Sequence, residues 1–174
     1  MNFGELEDFA QGASDAIAKF NVPFTLSTDQ LIDDNYQLAN LEWNSICYGN
    51  EEIENVPNDR RGIYAFAVCK ESAVLPPHCY VLYIGIAGRK SDRSLRARYK
   101  DYLNQKKVLK RSARIARMIG TWHDVLRFYY APVDQDISSD QLEELERQLN
   151  STLLPPFSEG DLEAGIKQQR RAFR

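Results

Sequence analysis

Two segments rich in aromatic and β-branched residues, 62–69 and 80–86, constrain the fold of this chain most strongly. Their composition is typical of β-strands. The stretch 71–78 between them contains two consecutive prolines and is predicted to be a loop, so the two strands are expected to pair antiparallel. Gly62 and Gly85 lie within the strands, where a missing side chain lets a backbone or a substrate come close.

The residues after this pair predict two helices, a third strand and a final helix. Ser94 is a suitable cap for a helix over 94–104, and apolar residues recur at helical spacing in 107–119. Residues 125–131 are predicted to form the third strand, and the last helix is expected to run from Ser138 to about residue 153. The order β-β-α-α-β-α predicts an α+β fold, in which a small three-stranded, mainly antiparallel sheet is flanked by helices.

Residues 1–59 are predicted to form an acidic, partly helical N-terminal extension packed on a core of residues 60–158. Apolar residues between positions 3 and 20 recur at helical spacing, and Pro23 ends this pattern. Residues 159–174 are expected to form a basic C-terminal tail. The extension is interpreted as a helical cover for one face of the sheet, or as a partner surface or DNA mimic folded over basic residues.

Charge is segregated along the chain, although the formal net charge is only −3. Residues 1–59 carry 12 acidic residues against 1 basic residue, whereas residues 60–127 carry 16 basic and 4 acidic residues. Within 89–117 there are 12 Lys and Arg residues against Asp92 and Asp101. A cluster of this density is an electrostatic footprint for a polyanion, although charge runs are also typical of solvated helix faces.

Three cysteines, Cys47, Cys69 and Cys79, form an odd set without a Cys-x-x-Cys pair. This pattern favours a reduced, cytoplasmic setting. No apolar run has the length needed to cross a bilayer, so a membrane is not an expected partner. His78 and the two cysteines nearest to it lack the usual spacing of zinc ligands.

Several short elements of the core occur in an order that resembles the GIY-YIG nuclease family. Gly62-Ile63-Tyr64 and Tyr83-Ile84-Gly85 match the two tripeptides that name the family. Leu95-Arg96-Ala97-Arg98 matches the Leu-x-x-Arg at the start of the first helix, and Tyr102 stands where the family often has His or Tyr. The resemblance covers residues 61–158.

The final helix completes the resemblance. Glu146 and Leu149 match the Glu-x-x-Leu of the family, and Pro155 follows in register. Ser158 stands where an asparagine is usual, which puts the support of the active-site loop in question. The chain also departs from the family in a longer spacer between the two tripeptides and in extra residues before the first helix.

The resemblance implies a metal-dependent DNA endonuclease with Tyr64, Tyr83, Arg98, Tyr102 and Glu146 in its active site. Tyr64 would be the base or a water-orienting phenol, and Tyr83 would lie beside it. Arg98 would clamp the scissile phosphate, because a guanidinium presents a bidentate fork. Tyr102 would hydrogen-bond to the phosphate or to the attacking water, or would contribute only to packing. Glu146 would be the single protein ligand of Mg²⁺ or Mn²⁺, since a hard carboxylate suits such a cation.

Double-stranded DNA is the expected partner, bound through its backbone. One site cuts one strand, so double-strand cleavage would need a homodimer or two successive events. The extended loop and the added N-terminal segment favour a restriction or phage-defence role. The alternative is a non-catalytic nucleic-acid-binding module on the same fold, regulated by its acidic segment. The expected DNA contacts are Arg89, Lys90, Arg93, Arg96, Lys107, Lys110, Arg111, Arg114 and Arg117.

Overall fold

A computed structural model describes residues 4–25, 31–32, 36, 38, 40–70, 72–74, 76, 78–89, 91, 93–158 and 166. Its helices are α1 (Gly4–Ala18), α2 (Leu95–Leu103), α3 (Gln105–Arg111), α4 (Ala113–Trp122) and α5 (Ser139–Leu153). Its strands are β1 (Asn44–Cys47), β2 (Gly62–Cys69), β3 (Cys79–Ala87) and β4 (Leu126–Pro132). A short 3-10 turn covers Ile53–Asn55.

The four strands form one antiparallel sheet in the order β1-β4-β2-β3. The α+β fold is therefore confirmed, and the three predicted strands are β2, β3 and β4. The fourth strand, β1, lies in the segment that was predicted to be the N-terminal extension. The sheet therefore includes residues before position 60. Within the sheet, Tyr64 stands opposite Gly85 on β3 and opposite Tyr130 on β4.

Helices cover both faces of the sheet, which explains why the central strand β2 is buried along most of its length. Leu142 and Leu145 of α5 pack on the face that presents Ile63 and Ile84. Helices α2, α3 and α4 pack on the opposite face, where an aromatic layer includes Tyr64. Burial of these apolar side chains is the main stabilising contribution to the fold.

Side-chain caps define the three helices on the aromatic face. Ser94, Asn104 and Ser112 each accept a hydrogen bond from the backbone N–H three residues on, at the starts of α2, α3 and α4. The predicted helix over 107–119 is therefore two helices, because Ser112 adopts an extended backbone and starts a new one. The predicted end of the helical segment at residue 119 was wrong, since α4 continues to Trp122.

Cys69 and Cys79 form a disulfide across the ends of β2 and β3, with their Cα atoms 4.7 Å apart. All three cysteines were expected to be reduced, because none of them form a Cys-x-x-Cys pair. Strand register brings the two residues opposite each other, which spacing along the chain does not reveal. Cys47 is an exposed free thiol.

The predicted N-terminal helix is present as α1, but it buries none of its residues. Leu6, Phe9 and Ile17 are all exposed. Phe20, just beyond the helix, approaches the ring of Trp122, with 6.4 Å between ring centroids. In the described part of the chain, no helix combines the length and the apolar character that crossing a bilayer requires.

Candidate active site

Tyr64 is the centre of a polar contact inside the aromatic layer. It lies on β2 with its side chain 0% exposed. Its hydroxyl oxygen is 2.7 Å from the hydroxyl oxygen of Tyr102, and it accepts a hydrogen bond of 2.9 Å from Nε of Arg98. Both partners lie on α2, one helical turn apart, so they share the helix face that packs on the sheet. Three of the predicted site residues therefore meet directly.

Tyr83 joins this group from the neighbouring strand. Its ring centroid is 6.2 Å from that of Tyr64 and 6.3 Å from that of Tyr102. The guanidinium carbon of Arg98 lies 5.4 Å from the centre of the Tyr102 ring, within range of a cation–π interaction. The result is a compact arrangement of three phenols around one permanent positive charge.

Gly85 makes room for the hydroxyl of Tyr64. A Cβ atom at position 85 would lie 2.5 Å from that hydroxyl oxygen and 2.7 Å from the ring carbon that bears it, closer than such atoms can approach. A Cβ at Gly62 would collide with the backbone of Ala131 on β4. The predicted close approaches at both glycines are confirmed.

Burial raises the pKa of two phenols of the group, Tyr64 and Tyr83. It raises the pKa of Tyr64 well above its usual value, and the neighbouring Tyr102 and Tyr83 raise it further, whereas the charge of Arg98 lowers it. Burial and Tyr102 also raise the pKa of Tyr83, to which the charge of Glu146 contributes. The Tyr64 hydroxyl is held in place by its hydrogen bonds with Arg98 and Tyr102.

A cleft with a volume of about 860 Å³ opens beside this group. Tyr83, Arg98 and Tyr102 line it, and Tyr64 lies behind them. The wall formed by α2, α3 and α4 contributes four further cations, so we call this feature the basic cleft. The four are Arg93, Lys107, Lys110 and Arg114.

Asp101 is a further candidate site residue, which was not predicted from the sequence. It is 8% exposed and lies on α2 at the edge of the basic cleft. Its carboxylate is 2.5 Å from Arg93, 3.1 Å from Lys107 and 4.0 Å from Arg98. One buried acid therefore orders three cations that would otherwise repel one another. The sequence signal that could have identified Asp101 is its position as an acidic residue within the densest basic run, three residues after Arg98.

Glu146 approaches the phenols from the other side of the sheet. It lies on α5 and is 3% exposed, and its charge acts on Tyr83, which belongs to the edge strand β3. Its carboxylate forms an ion pair with Arg89, and Arg89 also lies 3.9 Å from Glu143. Arg89 was predicted as a DNA contact, and the structure shows it bound to Glu146.

Ser158 supports the edge strand. Its side-chain oxygen accepts a hydrogen bond of 3.1 Å from the backbone N–H of Ile84, and the residue is 3% exposed. The preceding residue, Phe157, donates its backbone N–H to the carbonyl of Leu82. The segment after α5 therefore forms hydrogen bonds with backbone groups of β3, beside Tyr83. Ser158 therefore ties the segment after α5 to β3.

The other predicted DNA contacts are spread over several surfaces. Arg96 points away from the cleft, where its guanidinium binds the carboxylate of Glu54 and the backbone carbonyl of Val56. Arg117 is exposed on α4. Lys90 and the side chain of Arg111 lie outside the described part of the molecule.

The described residues include no group of three or more His, Cys, Asp or Glu side chains that would form a metal cage. A single buried carboxylate is nevertheless a suitable ligand for a cation that keeps most of its water shell. Glu146 fits this requirement, because its buried carboxylate already attracts a positive group, the guanidinium of Arg89. The donor chemistry is thus compatible with Mg²⁺ or Mn²⁺ at Glu146.

Comparison of the chain with family models, with curated proteins and with solved structures finds no match.

Proposed function

We propose that this protein is a metal-dependent DNA endonuclease of the GIY-YIG type. The observation that carries the proposal is the direct contact of Tyr64, Tyr102 and Arg98 at the inner wall of a basic cleft. A sheet tyrosine needs only packing, yet this one is hydrogen-bonded to a guanidinium and a second phenol. The arrangement supports hydrolysis of a phosphodiester, which needs a proton acceptor and a fixed positive charge beside the phosphate.

Arg98 is the phosphate clamp in this proposal. Its Nε is committed to the hydroxyl of Tyr64, which fixes the plane of the guanidinium. The terminal nitrogens remain on the side of the basic cleft, where Asp101 limits their rotation from 4.0 Å away. A guanidinium held in this way presents a fork that matches two phosphate oxygens and keeps its charge at any physiological pH.

Tyr64 would be the proton acceptor only as a phenolate, once its own proton has left through Tyr102 to water in the cleft. Tyr64 does not line the cleft, whereas Tyr102 does and is hydrogen-bonded to it. The attacking water would then give its proton to Tyr102 while Tyr102 gives its own to the Tyr64 phenolate, so that both phenols end neutral. Tyr83 lines the cleft beside them and orients the water or the phosphate. Glu146 would hold the divalent cation, which supplies positive charge that favours loss of protons from nearby water and phenols.

DNA binding is assigned to the cations of the basic cleft. Phosphate contacts made by lysine and arginine give affinity that falls steeply with salt and carries little sequence choice. Double-stranded DNA remains the proposed substrate, cut on both strands by a homodimer or in two events, in a restriction or phage-defence role. The proposed setting is the cytoplasm, and the disulfide between Cys69 and Cys79 is the observation that counts against it.

Cleavage of supercoiled plasmid tests the proposed function. We expect the chain to nick or linearise the plasmid with Mg²⁺ and to leave it intact when EDTA removes the metal. Arg98→Lys should lower the cleavage rate by about 10²-fold, because lysine keeps the charge but cannot bind Tyr64 and present a fork at once. Arg96→Lys is the matched control, since it lies on the same helix and binds Glu54 instead.

The result that contradicts the proposal is retention of DNA without cleavage by either the parent chain or the Arg96→Lys variant. That outcome would favour the non-catalytic nucleic-acid-binding module. Equal loss of cleavage in both arginine variants would show that the group around Tyr64 has no special role.

Arg89→Ala is expected to lower the Mg²⁺ concentration that gives half-maximal cleavage by about fivefold. The guanidinium of Arg89 competes with the metal for the Glu146 carboxylate, and a partly exposed ion pair is worth up to about 1 kcal/mol. The measurement is a Mg²⁺ titration of the cleavage rate at saturating DNA, which separates metal affinity from DNA affinity. Arg117→Ala, an exposed arginine on α4, serves as the control and should leave the titration unchanged.

A further inference from the structure

The basic cleft has an apolar interior as well as a cationic rim. Val108 of α3, Ile115 of α4 and Phe157 after α5 all line it. Contacts with phosphate oxygens use only the rim, and an apolar interior adds nothing to them. A ligand that fits the whole cleft therefore combines an uncharged, flat or apolar group with anionic groups on either side of it.

A nucleotide whose base is unpaired has this combination of groups. Within a duplex the base faces are covered by neighbouring bases, so only phosphates and groove edges meet a protein surface. Proteins that hold single strands place bases on apolar and aromatic side chains and phosphates on cations. At about 860 Å³ the cleft is within the usual size range of small-molecule sites, so one nucleotide has room in it.

We propose that the basic cleft holds one unpaired nucleotide of the cleaved strand, with its base against Val108, Ile115 and Phe157. The phosphate on one side of this nucleotide lies at Arg98, and the phosphate on the other side lies at Lys110 and Arg114. The inference rests on the proposed function for the role of the strand, because it places the nucleotide beside the bond that is cut. The inference adds that the base of this nucleotide is unstacked from the duplex, or that the bound strand is already single-stranded.

Asp101 holds cations of the rim in fixed positions. Its buried carboxylate holds Arg93 and Lys107 against α2 on the same side as Arg98. Flexible cations held in advance lose less conformational entropy when a phosphate binds. The cations of the rim exceed this one acid in number, so the cleft keeps a net attraction for the anions of a nucleotide.

The test uses thymidine 3′,5′-bisphosphate and an abasic analogue with the same two phosphates on a sugar that carries no base. Both are titrated calorimetrically into the full chain without divalent metal. We expect thymidine bisphosphate to bind at least about tenfold more tightly, since contact between a base and apolar or aromatic side chains contributes about 1–3 kcal/mol. Equal affinity of the two probes would overturn the proposal, because only the rim would then be in use.

Ala113→Trp locates the base within the cleft. Ala113 is an exposed residue of α4 that lines the cleft, so the larger side chain fills the space without disturbing the core. The variant should lose the preference for the base, whereas Ala13→Trp on the exposed face of α1 should keep it. If Ala113→Trp keeps the preference, the base binds elsewhere and the proposal fails.

Arg114→Ala gives a second variant in case the tryptophan alters folding, which thermal unfolding would show. It should weaken both probes by a similar factor, because it removes a phosphate contact and leaves the base contact. A loss confined to the thymidine probe would contradict the assignment of Arg114 to the phosphate. The proposed nuclease function is tested separately by plasmid cleavage, so base-dependent binding without cleavage would refute the nuclease and leave the nucleotide site standing.

Discussion

Glu146→Gln is expected to abolish Mg²⁺-dependent cleavage, with a loss of at least about 10³-fold in rate, or about 4 kcal/mol in activation free energy. Glutamine keeps the size of the side chain and removes the negative charge that would hold the cation. Glu146 is almost fully buried, so a solvent-exposed acid cannot replace its carboxylate at this position. The measurement is the rate of plasmid nicking at several Mg²⁺ concentrations, because a weakened metal site is partly restored by more metal.

Glu143→Gln is the matched control for this prediction. Glu143 lies on the same helix and within 3.9 Å of the same arginine, but its side chain is 37% exposed. Loss of this acid should change cleavage by no more than a few-fold. DNA retention should be unchanged or slightly stronger in both variants, since each loses a negative charge. Similar losses of cleavage in the two variants would show that Glu146 is not the metal ligand.

Local signals in the sequence were sufficient to predict most of the fold. Serine caps and apolar spacing predicted α2 and α5, and aromatic, β-branched runs predicted β2, β3 and β4. The strand β1 was missed because its four residues contain only Ile46 as a buried apolar side chain. Its identity as a strand depends on pairing with β4, which is about 80 residues away in the chain.

The candidate site was predicted from the sequence only in part. The order of short motifs predicted that Tyr64, Tyr83, Arg98 and Tyr102 come together, and the structure brings them into contact. The ionic partners were missed, because pairs such as Arg89 with Glu146 join residues that are far apart in the sequence. No local pattern distinguishes an arginine that meets DNA from one that neutralises a buried acid.

The position of Tyr64 behind the cleft wall changes what its chemistry requires. The sequence presents it as a phenol that faces water directly, whereas the structure buries it under Tyr102 and Arg98. A buried phenol with a raised pKa keeps its own proton and cannot accept another, unless positive charge nearby favours the phenolate. The proposed mechanism therefore requires added positive charge near Tyr64, which a divalent cation held by Glu146 would supply.

Tyr64→Phe is expected to lower the cleavage rate by about 10²–10⁴-fold, the usual contribution of a general base. Phenylalanine keeps the ring that packs in the aromatic layer and removes the hydroxyl that Arg98 and Tyr102 share. Tyr130→Phe is the control, because Tyr130 stands beside it on β4 and donates its hydroxyl hydrogen bond to the backbone carbonyl of Asn55. That control should lose about 1 kcal/mol of stability and keep its activity.

A double-mutant comparison tests whether Tyr64 and Tyr102 act as one unit. If the proton passes through Tyr102, then Tyr102→Phe alone should cost nearly as much as Tyr64→Phe, and the double variant should cost little more. Independent roles would instead give losses that multiply. Single-turnover rates with the metal held at saturation isolate the chemical step. An active Tyr64→Phe enzyme would remove the proton acceptor from the mechanism and leave the phenol as a packing residue, because the ring is then all that matters.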